Sequence, residues 1–88
     1  VSAVIFHEIG HLLDSLCGVS EGAAVQEAFR EGRERKIAKE LSAYAATSPA
    51  EYVAEGFAEC MSSGAPRRAA RAVAEAIAKS YQTLEASR

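Results

Sequence analysis

Only two cysteines, Cys17 and Cys60, occur in these 88 residues, and they form no CxxC pair. That argues against a zinc finger or a redox dithiol. A single bridge between them is open to the sequence, but buried free thiols are the reading it favours. Charge of one sign is missing too: ten Lys and Arg against twelve Asp and Glu leave a net charge of −2. Such a balance gives no general pull toward nucleic acid or an anionic membrane. The run Arg30-Glu31-Gly32-Arg33-Glu34-Arg35-Lys36 mixes both signs, so it reads as a solvated face rather than a nucleic-acid patch. No apolar run approaches the roughly 18 residues that a membrane-spanning helix needs. A charged-then-apolar leader with a cleavage site is absent as well. The chain opens on Val1, already inside a helical pattern, and reads as a piece of a longer protein, so the absence of such signals here says little.

Strand signals are equally scarce. β-Branched residues are few, alanine is abundant, and no stretch alternates with period two. The expectation is one mostly all-α domain over residues 1–88, with about four helices. Apolar content of 49% and charged content of 25% fit a globular chain near the size where a single core becomes marginal. The first helix is expected from about Ser2 to Leu16, stopping at Gly18. Ser20 is a plausible cap for a second helix reaching about Leu41, with Val25, Phe29, Ile37 and Leu41 inward and a weak point at Gly32. The stretch 42–47 reads as a connection. Ser48 and Pro49 then open a third helix with Val53, Phe57, Cys60 and Met61 as its apolar face, ending near Gly64. A fourth starts around Pro66 with a core stripe of Ala70, Val73, Ile77, Tyr81 and Leu84.

The chemistry concentrates in the first helix. Its sequence Phe6-His7-Glu8-Ile9-Gly10-His11 holds the only two histidines of the chain, four residues apart. Residues at that spacing stack on one helix face. Ile5, Ile9, Leu12 and Leu16 fall on the other face, so the histidine face is not the apolar one. A catalytic zinc site takes three protein ligands and keeps an open position for water. His7 and His11 supply two ligands, and Glu8 beside them can take a proton from the activated water. Gly10 costs about 1 kcal/mol of helix propensity relative to Ala, which is tolerable if something must approach the helix closely there. The bland alternative is two unrelated histidines on a helix.

The third ligand must come from elsewhere. Asp14 shares the histidine face but lies about 10 Å along the axis from His7. It can accept a hydrogen bond from His11, or it is an exposed acid in the last turn. The third helix carries Glu51, Glu55 and Glu59 at i, i+4 and i+8, a like-charge stripe that costs a few tenths of a kcal/mol per pair. A solvated acidic face would explain it, with Glu51 completing a capping box begun by Ser48. Alternatively Glu51 binds the metal and Glu55 orients a ligand histidine, while Glu59 stays in the acidic face. Tyr44, seven residues before Glu51, can donate to an oxyanion on a metal-bound carbonyl, or it is a partly buried tyrosine with a satisfied hydroxyl. Tyr52 and Tyr81 keep that ordinary reading.

Taken together, "HEIGH" followed by "LSAYAATSPAEYVAEGFAE" resembles the catalytic domain of anthrax-lethal-factor-type metallopeptidases, a branch of the gluzincins. In that family a tyrosine precedes a helix bearing E-x-x-x-E, whose first glutamate is the third zinc ligand. The resemblance spans roughly Val4 to Met61. It implies one Zn2+ ion held by His7, His11 and Glu51, with Glu8 as general base, Tyr44 as transition-state donor and Glu55 supporting a ligand. It also implies hydrolysis of a peptide or protein substrate by zinc-activated water. Relatives of this type occur in secreted or injected toxins, and similar domains in larger phage or bacterial proteins. Zincin peptidases place a small mixed sheet before the active-site helix, and nothing in this chain can build it. The expected fold is therefore the helical, metal-holding part of a zincin-like domain. Two other classes remain beside the enzyme: a helical module that binds zinc only to hold its fold, and an inactive peptidase-like interaction domain. A purely structural zinc site needs neither Glu8 nor Tyr44.

Overall fold

The computed structural model describes residues 2–87, and the side chains of residues 4–32 and 41–87. It contains four α-helices: α1 (Ser2–Cys17), α2 (Ala23–Glu40), α3 (Pro49–Ser62) and α4 (Arg68–Ala86). No strand occurs among the described residues, so the mostly-α expectation holds. None of these helices is long and apolar enough to cross a membrane.

The turn chemistry explains the boundaries. α1 stops where Gly18 adopts φ 66°, ψ 32°, a left-handed conformation that costs glycine nothing. The Gly18 N–H donates to the Asp14 carbonyl at 2.7 Å. A 3-10 turn over Val19–Glu21 follows, and α2 begins only at Ala23. Ser20 is thus part of the turn and not the cap of α2. Its N–H is taken by the Asp14 carboxylate at 2.6 Å, while Val19 is fully buried beside it. Gly32 does not interrupt α2, and the inward placement expected of Ile37 lies outside the described side chains. Ser48 caps α3 as the sequence suggests, its hydroxyl accepting the Glu51 N–H at 3.2 Å with Pro49 at the first position. α4 starts two residues later than Pro66 because Glu59 of α3 holds the Arg67 N–H at 2.7 Å and its guanidinium as well.

α3 is the central element, packed on one side by α1 and on another by α4. The core contains Val19, Val25, Leu41, Ala45, Tyr52, Val53, Ala70 and Val73, with Phe29 and Ile77 packed against it. Tyr81 and Leu84 are 52% and 42% exposed, so the inward stripe of α4 ends near Ile77. Met61 is exposed, and the buried side of α3 is instead Tyr52, Val53, Ala54, Gly56 and Ala58. Cys17 and Cys60 are free and half-buried, and burial pushes the Cys60 thiol above its ordinary pKa.

α1 presents its apolar face to solvent. Ile5, Leu12 and Leu16 are 55%, 63% and 72% exposed, and Ile9 is 37% exposed. The helix docks on α3 through the other side, where Gly10 is buried. A Cβ on Gly10 would stand 2.9 Å from the Ala54 Cα and 3.3 Å from the Phe57 Cβ. Glycine is what lets the two backbones meet here, and that meeting brings the histidines to the glutamates.

Candidate metal centre

The close α1–α3 contact stacks His7 and His11 against Glu51 and Glu55. His11 Nε2 lies 2.7 Å from Glu51 Oε1, and His7 Nε2 lies 3.0 Å from the same oxygen. The two Nε2 atoms are 3.1 Å apart. His7 Nδ1 is 2.7 Å from Glu55 Oε2. A carboxylate only accepts, so His7 Nδ1 carries a proton directed at Glu55.

Each of the three converging atoms can present a lone pair, and converging lone pairs suit a cation. The triangle also has the right size. Edges of 3.1, 3.0 and 2.7 Å give a circumscribed radius of about 1.7 Å, shorter than the roughly 2.0–2.2 Å bonds of histidine nitrogen and carboxylate oxygen to a divalent metal. A point on either side of the triangle's plane therefore lies at bonding distance from all three atoms. His7, His11 and Glu51 form a group that could hold a metal ion, and they are the one such group among the described residues.

The remaining expected residues surround this group unequally. Tyr44 stands on the turn before α3, its ring edge-on to His7 with centroids 5.7 Å apart. The Glu51 carboxylate beside it, and a hydrogen bond to that carboxylate, hold its phenol above the usual tyrosine value, with smaller pushes from Glu55 and Glu8. Glu8 is exposed and near enough to Tyr44 to act on it in this way. Asp14 is 7% exposed, so it is not a solvated acid. Its Oδ1 accepts the Ser20 N–H, which fixes the turn after α1. Beyond His11 a cavity of about 390 Å3 is lined by Asp14, Ser15, Gly18, Ser20 and Glu21. Glu59 is engaged with Arg67, and that pairing holds its carboxyl below the ordinary glutamate value.

One participant was not singled out from the sequence. Ser42 donates to Glu55 Oε1 at 2.7 Å, while its own oxygen accepts the Ala45 N–H at 3.0 Å. The available signal was local: a serine placed to close the turn that carries Tyr44. Its link to Glu55 is tertiary and has no signature in spacing. Comparison of the chain with protein-family models, with curated proteins and with solved structures gives no match.

Proposed function

We propose that this chain is the zinc-holding helical core of a metallopeptidase of the gluzincin type, similar to the anthrax-lethal-factor branch, and that it acts on a peptide or protein substrate. The observation that carries the reading is the convergence of His7 Nε2, His11 Nε2 and Glu51 Oε1 from two helices. Two imidazoles and one carboxylate are the ligand set of a catalytic zinc site that keeps a position open. Glu8 and Tyr44, both near this cluster, are residues that a purely structural metal site has no use for.

Zinc held there would polarise the scissile carbonyl and lower the pKa of water. Glu8 takes the proton of the attacking water as its oxygen bonds to the carbonyl carbon, and passes that proton to the amine as the C–N bond breaks. The Tyr44 hydroxyl donates to the carbonyl oxygen as negative charge develops on it, an interaction whose removal costs about 10²–10³ in kcat. Glu55 keeps His7 in the tautomer that leaves Nε2 free.

The test separates holding from turnover. Glu8→Gln is expected to keep zinc and lose hydrolysis of a broad peptide pool. Glu51→Ala is expected to lose zinc affinity itself, read by native mass spectrometry and chelator competition. Unchanged zinc content in Glu51→Ala would refute the ligand set, and full hydrolysis by Glu8→Gln would refute the mechanism.

A further inference from the structure

Both oxygens of Glu55 are in use. Oε2 accepts from His7 Nδ1 and Oε1 accepts from the Ser42 hydroxyl, each at 2.7 Å. The Ser42 oxygen in turn accepts the Ala45 N–H, and Ala45 is fully buried in the core. The turn between Ser42 and Ala45 carries Tyr44, whose carbonyl accepts from both the N–H and the hydroxyl of Thr47. An unbroken chain of hydrogen bonds therefore runs from the Ala45 backbone through Ser42 and Glu55 to the ring of His7. It joins two parts of the site that belong to different elements.

We propose that Ser42 is a positioning residue that couples the Tyr44 turn to the metal centre through Glu55. This rests on the metallopeptidase reading for what Tyr44 does, but the coupling itself concerns residues of the chain alone. A carboxylate held at both oxygens has one orientation, and the ring it faces has one orientation and one tautomer. The serine that supplies the second hold is fixed by the turn, so turn and ring are set together. Ordering either end then favours the other.

Ser42→Ala removes the hydroxyl and leaves Glu55 Oε1 and the Ala45 N–H without these partners; Ser42→Thr keeps the oxygen. Removing such outer partners typically costs 10–100-fold in metal affinity or activity. In the full 88-residue chain, Ser42→Ala is expected to weaken zinc binding on the order of tenfold and to lower kcat with little change in KM. Without metal, the 15N shifts of His7 should move toward a mixture of the two tautomers. Ser42→Thr should restore all three. In a Glu55→Ala background the further effect of Ser42→Ala should disappear, since the serine acts through that carboxylate. Wild-type zinc affinity and unchanged His7 shifts in a folded Ser42→Ala overturn the coupling, as does full additivity with Glu55→Ala. A wild-type chain that binds zinc but hydrolyses nothing overturns the peptidase reading instead, and the shift and affinity measurements still decide the role of Ser42.

Discussion

Replacing Gly10 by alanine sets two effects of known sign against each other. Helix propensity alone favours the variant by about 1 kcal/mol. The new Cβ, however, would sit 2.9 Å from Ala54 Cα, 3.2 Å from the Ala54 carbonyl oxygen and 3.3 Å from Phe57 Cβ. Carbon atoms pack comfortably at about 3.5–4.0 Å, so α1 and α3 must part by about half an ångström or more. No rotamer change relieves a clash with backbone. Overpacking of this kind costs about 1–3 kcal/mol, and the net loss of stability lies between about zero and 2 kcal/mol. The proposed metal centre is more sensitive, because its donors come from both helices and His11 is the next residue. Ligand distances must hold to about 0.2 Å, so zinc affinity is expected to fall at least about tenfold, or 1.4 kcal/mol. Urea unfolding in the presence of a chelator gives the first quantity, and competition with a chromophoric chelator gives the second. A Gly10→Ala chain that gains about 1 kcal/mol and binds zinc like the wild type would show that the backbones need not meet, and the account of α1 docking would fall.

Gly56 faces a comparable obstacle on the other side of α3, where an added Cβ would lie 2.6–3.0 Å from Val73, which is fully buried. Gly56→Ala is expected to cost about 1–3 kcal/mol, and Val73→Ala should partly rescue it; simple addition of the two losses in urea unfolding would contradict the contact. The Arg67 hydrogen bonds hold the Glu59 carboxyl below its ordinary value, so the unfolded chain takes up that proton first as pH falls. The pair's contribution is therefore whole above the ordinary glutamate pKa and lost as pH drops through the depressed one. Thermal melts between about pH 5 and pH 3 should lose stability more steeply in the wild type than in Arg67→Gln; parallel curves would deny the pairing a role.

Helix identity was legible because it rests on local chemistry: Gly18 as a left-handed stop, and Ser48 with Pro49 as a start. The start of α2 departs from the cap preference of Ser20, because Ser20 lies inside the 3-10 turn over Val19–Glu21 and α2 begins at Ala23. At the site, the spacing of His7 and His11 put both on one face, and Glu51 forms the backbone half of the expected capping box. Its backbone N–H serves the Ser48 cap while its carboxylate reaches the histidines. The direction in which α1 faces was not legible. Ile5, Ile9, Leu12 and Leu16 carry the apolar periodicity, yet α3 packs on the opposite side. Amphipathic pattern reports which face avoids water, whereas the docking here is set by the absence of a side chain at Gly10 and by pairing of polar groups.

That inversion ties the site to the stability of the fold. A helix usually docks by burying its apolar stripe, at about 25 cal/mol per Å2. On α1 much of that stripe remains in water, so the attachment leans on the Gly10 contact and on the histidine–glutamate cluster. A cation held by His7, His11 and Glu51 would be attracted by donors from both helices and so would draw them together. Occupied at a hundred times its dissociation constant, such a site adds about 2.7 kcal/mol, a large share of the 5–15 kcal/mol that holds a typical domain together. On the proposed reading the polar face of α1 both carries the chemistry and helps to fasten the helix to α3.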